Sequence, residues 1–489
     1  MSRLRASLAL ALLLSAAPIT AMAQPAPVAA SVMPANFVTE HAGTFNGQRL
    51  RYKAVVGETP ISDAKGQPLA TFVSTAYLRQ DGPNLAQRPV LFLFNGGPGS
   101  ASMWLHLGAF GPRRVALPAD VVSDVAPPYR LIDNPYTILD VADLVFIDPP
   151  GTGYSRLAPG VDPKSLWTAA SDAQATADFI QAWTIAHHRE ASPRYVLGES
   201  YGTIRAVLTA EDLSRTQPLN GVILLGQATN MIETSQRAGN IVGLAANLPV
   251  LASIAWYHGK IDHAGRTQGA FLDEVYAFAM GDYLTALAQG RDLPDDRRHV
   301  IADKLAAYTG LPADYYLANA LSISKERFRR EILKDRGLVT GQYDARYTAT
   351  AEVAAKSDPS MKIAPAFNAL IGPYLRDDLG VKRDDAYRPS DPDVDAWDYG
   401  APPSPFSDYD YPGKLARVMA AQPTFKLMIG SGLYDTTTTF GVARYLVARS
   451  AFPIDRTTLK TYDGGHMAYT NEAALKALTS DVRTFVSGD

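Results

Sequence analysis

A serine with a glycine two residues away on each side, in Gly198-Glu199-Ser200-Tyr201-Gly202, follows directly on the apolar run Tyr195-Val196-Leu197. A strand that ends this way is expected to turn sharply into a helix. In that turn only residues without a Cβ fit beside the serine, whose hydroxyl is lifted clear of the sheet. The requirement reaches beyond the turn, because short, continuously apolar strands that feed helices need a parallel sheet covered on both faces.

The rest of the chain supplies such strands. Further apolar runs occur at 90–94, 144–147, 222–225 and 425–429, with a helix-like stretch at 165–187 between two of them. The region 43–80 differs. Residues alternate through Leu50-Arg51-Tyr52-Lys53-Ala54-Val55-Val56 and again through 72–78, around the turn-rich Asp63-Ala64-Lys65-Gly66, which predicts antiparallel strands. From about Ile232 to Asp410 the strand texture gives way to helical, charge-rich segments such as 295–308 and 324–336. That region ends in the breaker clusters Asp391-Pro392-Asp393 and Ala401-Pro402-Pro403-Ser404-Pro405.

The expected architecture is an α/β-hydrolase fold: a mostly parallel central sheet, antiparallel N-terminal strands and a helical cap insertion. The expected domains are a signal peptide at 1–23, a first part of the core at 24–231, a cap or lid at 232–410 and a second part of the core at 411–489. The leader has Arg3 and Arg5 at its head, an apolar run from Leu8 to Ala17 and the small-residue site Ala21-Met22-Ala23. Its run is too short to span a bilayer, so an exported chain beginning at Gln24, periplasmic or secreted, is expected. With no cysteine in the chain, neither a disulfide nor a thiol nucleophile is available. The 47% of hydrophobic residues must supply the stability, and loss of the two leader arginines takes the formal charge from −3 to −5. That mild, mixed charge gives no reason to expect nucleic acid or an anionic membrane as partner, and no membrane insertion is expected.

A serine hydroxyl attacks poorly until a base takes its proton and a carboxylate orients that base. His466, in the tight turn Asp463-Gly464-Gly465-His466-Met467 after the strand-like 457–462, is the candidate base. Asp435 closes an apolar strand that runs through Gly430-Ser431-Gly432, and it is the candidate acid. The order Ser200, Asp435, His466 is the one α/β-hydrolases use. The oxyanion formed on attack needs two N–H donors. Tyr201 offers one, and Asn95-Gly96-Gly97-Pro98-Gly99, directly after 90–94, offers the other at Gly97. No lysine follows this loop at the spacing of a phosphate cradle, and neither a metal nor a cofactor is expected.

The chain resembles the serine carboxypeptidase family in Asn95 to Gly99, in Asp148-Pro149-Pro150-Gly151-Thr152-Gly153-Tyr154-Ser155, in Gly198 to Gly202 and in Gly465-His466-Met467. The resemblance implies acyl-enzyme chemistry without a metal and removal of C-terminal residues from peptides. It further implies that Asn95, Gly96 and Glu199 bind the substrate, with Glu199 and Asn95 holding its free carboxylate. An ionised Glu199 would repel that group and a protonated one could donate to it, so acidic pH should favour the reaction. Alternatively, Glu199 would only pair with an arginine such as Arg205. The chain departs from better-known members of the family at Ala109, where many have a glutamate, at Leu93, where a tryptophan is common, and at Thr203. The same machinery could serve an esterase or acyltransferase. A non-catalytic binding protein is the reading from another class, although such relatives usually lose one of the three residues retained here. Side-chain preference and oligomeric state have no signature in the sequence.

Overall fold

A computed structural model describes residues 35–488 apart from 83, 238, 395 and 401–408. The expected leader at 1–23 and the breaker cluster at 401–405 lie outside the described residues. Among those described, ten strands form one sheet. Nine lie in the order β1 (Asn36–Phe45), β2 (Gln48–Ser62), β3 (Pro68–Arg79), β5 (Asp143–Asp148), β4 (Val90–Phe94), β6 (Arg194–Glu199), β7 (Gly221–Leu225), β8 (Lys426–Gly432) and β9 (Thr457–Tyr462). The tenth, Arg156–Leu157, pairs with β3. Pairing is antiparallel from β1 to β5 and parallel from β5 to β9. This is the expected α/β-hydrolase-like mixed sheet with a helical region attached.

The central strands bury both faces, and the side-chain alternation shows how. Leu91, Leu93, Leu197 and Ile223 face one layer, where Leu475, Leu478 and Val482 of the helix Glu472–Ser487 cover them. Val90, Phe92, Phe94 and Val196 face the other, under Phe179, Ile180 and Trp183 of helix α1 (Ala169–Ala186) and Val207 of helix α2 (Gly202–Leu213). A period-2 backbone between two helical layers leaves no solvent face, which is why these strands read as unbroken apolar runs.

The antiparallel region begins earlier than the alternation predicts, at Asn36 instead of Gly43. From Asn36 to Thr44 the strand is never fully buried, so its sequence, with Thr39, Glu40 and His41, carries no apolar signal. The residues between β7 and β8 are mainly helical, with a two-stranded ribbon at Leu338–Thr340 and Thr348–Thr350. They carry a core of their own, around Phe271, Leu305, Tyr316 and Phe328. The predicted helix at 295–308 is Asp295–Thr309, whereas that at 324–336 closes after Lys325–Glu331 and resumes as one tight turn.

Candidate active site

Ser200 sits where β6 passes into α2, with φ of +59°. A non-glycine residue in that conformation is strained by about 1–3 kcal/mol, and the surrounding contacts must hold it there. Ser200 N–H donates to Leu225 O at the end of β7 (2.9 Å), and Thr203 N–H returns to Ser200 O (2.9 Å). A Cβ on Gly198 would come within 2.1 Å of Gly202 O, so the strand can lie against its own helix only with glycine there.

The loop after β4 lies directly over this turn. A Cβ on Gly96 would stand 2.5 Å from Tyr201 N and 2.7 Å from Glu199 O. Among the described residues, neither Gly97 N–H nor Tyr201 N–H has a hydrogen-bond partner. The chain beyond the loop is pinned by Asp148, which accepts from Ser102 N–H and Ser102 Oγ–H (2.8 Å each). Burial raises the Asp148 carboxyl to about 6 against those bonds. The segment after the helical region also reaches the loop, as Asp391 N–H donates to Gly99 O (2.8 Å).

His466 Nδ1 lies 2.7 Å from Asp435 Oδ2, and Asp435 is wholly buried. An ionised carboxylate only accepts, so the proton lies on Nδ1 and Nε2 is left free. Asp435 takes four further bonds: at Oδ1 from Thr437 N–H (2.7 Å), Thr437 Oγ–H (2.5 Å) and Thr438 N–H (3.2 Å), and at Oδ2 from Thr438 Oγ–H (2.6 Å). Burial alone would raise its pKa, but the His466 charge and these donors outweigh it and hold the carboxyl below its ordinary value. For His466 burial works downward, and Asp435, with a smaller contribution from Glu199, more than reverses it, so the imidazole titrates above its ordinary value. His466 N–H donates to Tyr343 O (2.6 Å), tying the histidine loop to the helical region. Lys325 of that region is half-buried. Its Nζ donates to Thr437 O (3.1 Å) and Thr234 O (2.8 Å), and desolvation brings its pKa down to about 8.

Ser200, His466, Glu199, Asn95, Gly96 and Gly97 line one open cleft, whose remaining wall is Ser100, Trp104, Tyr343, Met361 and Met467. Tyr201 turns its side chain away, under the cleft floor, where its hydroxyl donates to Asp172 (2.8 Å). Glu199 is 3% exposed and accepts from the Tyr469 hydroxyl at Oε2 (2.7 Å). Burial raises its carboxyl to about 7, opposed by the His466 charge, the Tyr469 hydrogen bond and the nearby Asn95 amide. Arg205 does not pair with it: Nε goes to Asp172 Oδ2 (2.7 Å) and Nη1 to Asn95 O (2.9 Å). Among the described residues no three His, Asp or Glu side chains converge as a metal site would need.

The structure brings Ser200, His466, Glu199, Asn95, Gly96 and Gly97 to one cleft, with Asp435 bound to His466 and Tyr201 next to Ser200 in the turn. It adds Thr437, Thr438 and Tyr469, and the wall residues Trp104, Tyr343 and Met361. The run Asp435-Thr436-Thr437-Thr438-Thr439 carried a local signal, since hydroxyl residues just after an acid favour such turns. The wall residues carried none, coming from three separate parts of the chain.

The mixed sheet with its attached helical region is an α/β-hydrolase-like fold. Residues 76–231, which hold the glycine loop, the Asp148 motif and the serine turn, match the model for the serine carboxypeptidase family. Among solved structures the chain is similar to Kex1(delta)p, described as a prohormone-processing carboxypeptidase from Saccharomyces cerevisiae. The identity is 15% over 90% of this chain and 92% of that one, with a TM-score of 0.51, a likeness of fold. A proline iminopeptidase of Mycobacterium smegmatis overlaps at 13% identity over 88% of this chain and 98% of its own, with a TM-score of 0.35. No curated protein matches the chain.

Proposed function

We propose that the protein is a serine carboxypeptidase that removes residues from the free C-terminus of a peptide. The observation that carries this reading is the shared cleft, in which Ser200 and the Asp435-supported His466 face the same space as the buried carboxyl of Glu199 and the Asn95 amide. Ser200 Oγ attacks the scissile carbonyl carbon and His466 Nε2 takes its proton. The tetrahedral oxyanion is held by the Gly97 and Tyr201 N–H groups, and its collapse passes the proton to the leaving amine. Water, deprotonated by the same imidazole, then releases the acyl group from Ser200.

Asn95 and Glu199 hold the terminal carboxylate, with Gly96 forming the floor beside them. Glu199 must be protonated to do so, while His466 must be neutral to act as base. One proton on the pair is therefore productive when it rests on Glu199. An anionic substrate terminus favours that arrangement, and an ester or amide does not. The segment 232–410 serves as the cap over the cleft, and the leader at 1–23 directs export.

The test compares an N-blocked dipeptide as free acid, as amide and as ester, with the wild-type chain and Ser200→Ala. Serine-dependent turnover that favours the free acid supports the reading. Serine-dependent cleavage of the ester alone identifies an esterase or acyltransferase instead.

A further inference from the structure

Tyr469 lies in the tight turn Ala468–Thr470 just after His466, and its side chain is buried. Its ring is seated against Gly108, where a Cβ would come within 2.7 Å of Cε2, so the hydroxyl has little freedom to move. That hydroxyl donates to Glu199 Oε2 at 2.7 Å. The Asn95 amide, beside Glu199 in the cleft, lowers the pKa of both Glu199 and Tyr469, and its Oδ1 is occupied by Leu105 N–H (3.1 Å). Burial, then the Glu199 charge, keeps the phenol far above its ordinary pKa, so Tyr469 stays an O–H donor at any working pH. The charged or titratable groups around Glu199 are therefore His466 from the loop after β9, Asp435 from the end of β8 and Tyr469, since Arg205 of α2 is directed to Asp172.

We propose that Tyr469 is a positioning residue that decides which Glu199 oxygen carries the acid proton. A carboxylic acid holds one proton on one of two oxygens, and an oxygen already accepting a short O–H bond is the acceptor of the pair. With Oε2 occupied by Tyr469, the proton is carried on Oε1 and is offered to the terminal carboxylate of a peptide. A neutral donor suits this task. A second cation there would keep Glu199 ionised, and an apolar side chain would leave both oxygens equivalent. The proposal rests on the carboxypeptidase reading and gives it one specific determinant of free-acid recognition.

The experiment measures kcat and KM of wild type, Tyr469→Phe, Glu199→Gln and the double variant on the free-acid and ester dipeptides, from acidic to alkaline pH. Loss of one hydrogen bond to an ionisable group should lower the free-acid to ester ratio of kcat/KM about tenfold, mainly through KM. The phenol stabilises the Glu199 carboxylate, so its removal should move the alkaline limb of free-acid cleavage to higher pH. In the Glu199→Gln background the phenylalanine should change neither quantity. Gly108→Ala, which displaces the ring and keeps the hydroxyl, should lower the ratio in the same sense and serves if Tyr469→Phe does not fold. Equal losses on both substrates, an unmoved limb, or an undiminished effect in the Glu199→Gln background would overturn the proposal. A wild-type enzyme indifferent to the free acid would overturn the carboxypeptidase reading itself. A wild-type preference left intact by Tyr469→Phe would overturn only the role of Tyr469.

Discussion

Arg205 gives its Nε to Asp172 at 2.7 Å, and so leaves Glu199, at the end of the strand that feeds its helix, without an arginine partner. The ion pair is buried on both sides and ties α1 to α2 beneath the serine turn, while Arg205 Nη1 holds the Asn95 carbonyl in the glycine loop. One arginine thus supports the architecture of the site and stays out of its titration. The protonation of Glu199 is left to burial, to Tyr469 and Asn95, and to the neighbouring charge of His466.

The first prediction is a difference in pH profile between substrates. Glu199, with its carboxyl at about 7, is protonated below that pH, so free-acid cleavage should fall as pH rises through it. It should also fall on the acid side, where His466, titrating above its ordinary value, becomes charged. The result is a bell in kcat/KM whose limbs belong to the coupled pair. The ester needs only neutral His466 and should rise to a plateau. Glu199→Gln should abolish the alkaline limb for the free acid; a bell that persists in that variant would show that another group sets it.

Asp435→Asn should lower kcat by about 10⁴-fold on the ester, because the amide no longer holds the His466 tautomer that leaves Nε2 as base. Thr438→Val, which removes one Oγ–H donor from the Asp435 carboxylate, should cost about tenfold in kcat. Steady-state kinetics at the pH optimum distinguish these from binding effects, which would appear in KM.

Gly96→Ala introduces a Cβ 2.5 Å from Tyr201 N, against backbone that cannot yield without moving the N–H proposed as one oxyanion donor. We expect kcat to fall about 10²- to 10³-fold on every substrate, in a protein whose circular dichroism and unfolding midpoint are near wild type. A stability loss of matching size would mean that the loop serves the fold more than the chemistry.

Away from the cleft, Asp143 bridges Arg88 (2.7 Å) and Arg189 (2.5 Å), and all three side chains are at most 3% exposed. Asp143→Ala leaves two buried guanidinium groups without their counter-charge and should destabilise the chain by about 3–5 kcal/mol in urea unfolding.

How much of this was legible in the sequence follows from where each signal lies along the chain. Val90–Phe94, Arg194–Glu199 and Thr457–Tyr462 announce themselves because burial on both faces, or a sharp turn after the strand, leaves a local mark. Ser200, Asp435, His466 and the glycine loop could be singled out for the same reason, since each follows a strand and carries glycine where backbone approaches backbone. Asn36–Thr44 escaped because a half-exposed edge strand has no apolar stripe to show. Tyr469 escaped for another reason: a tyrosine becomes a partner of Glu199 only when the turn after His466 is folded onto the strand end before Ser200, a contact 270 residues apart in sequence. Trp104, Tyr343 and Met361 meet at the cleft in the same way, through tertiary packing that no local pattern encodes.

The most direct test of the central claim follows a peptide of several residues by mass spectrometry at mildly acidic pH, with a free or an amidated C-terminus, in the presence of wild type or Ser200→Ala. The account predicts stepwise loss of single residues from the free C-terminus with wild type alone, and protection of the amidated peptide. Internal cleavage, trimming from the N-terminus, or a ladder that persists with Ser200→Ala would contradict it.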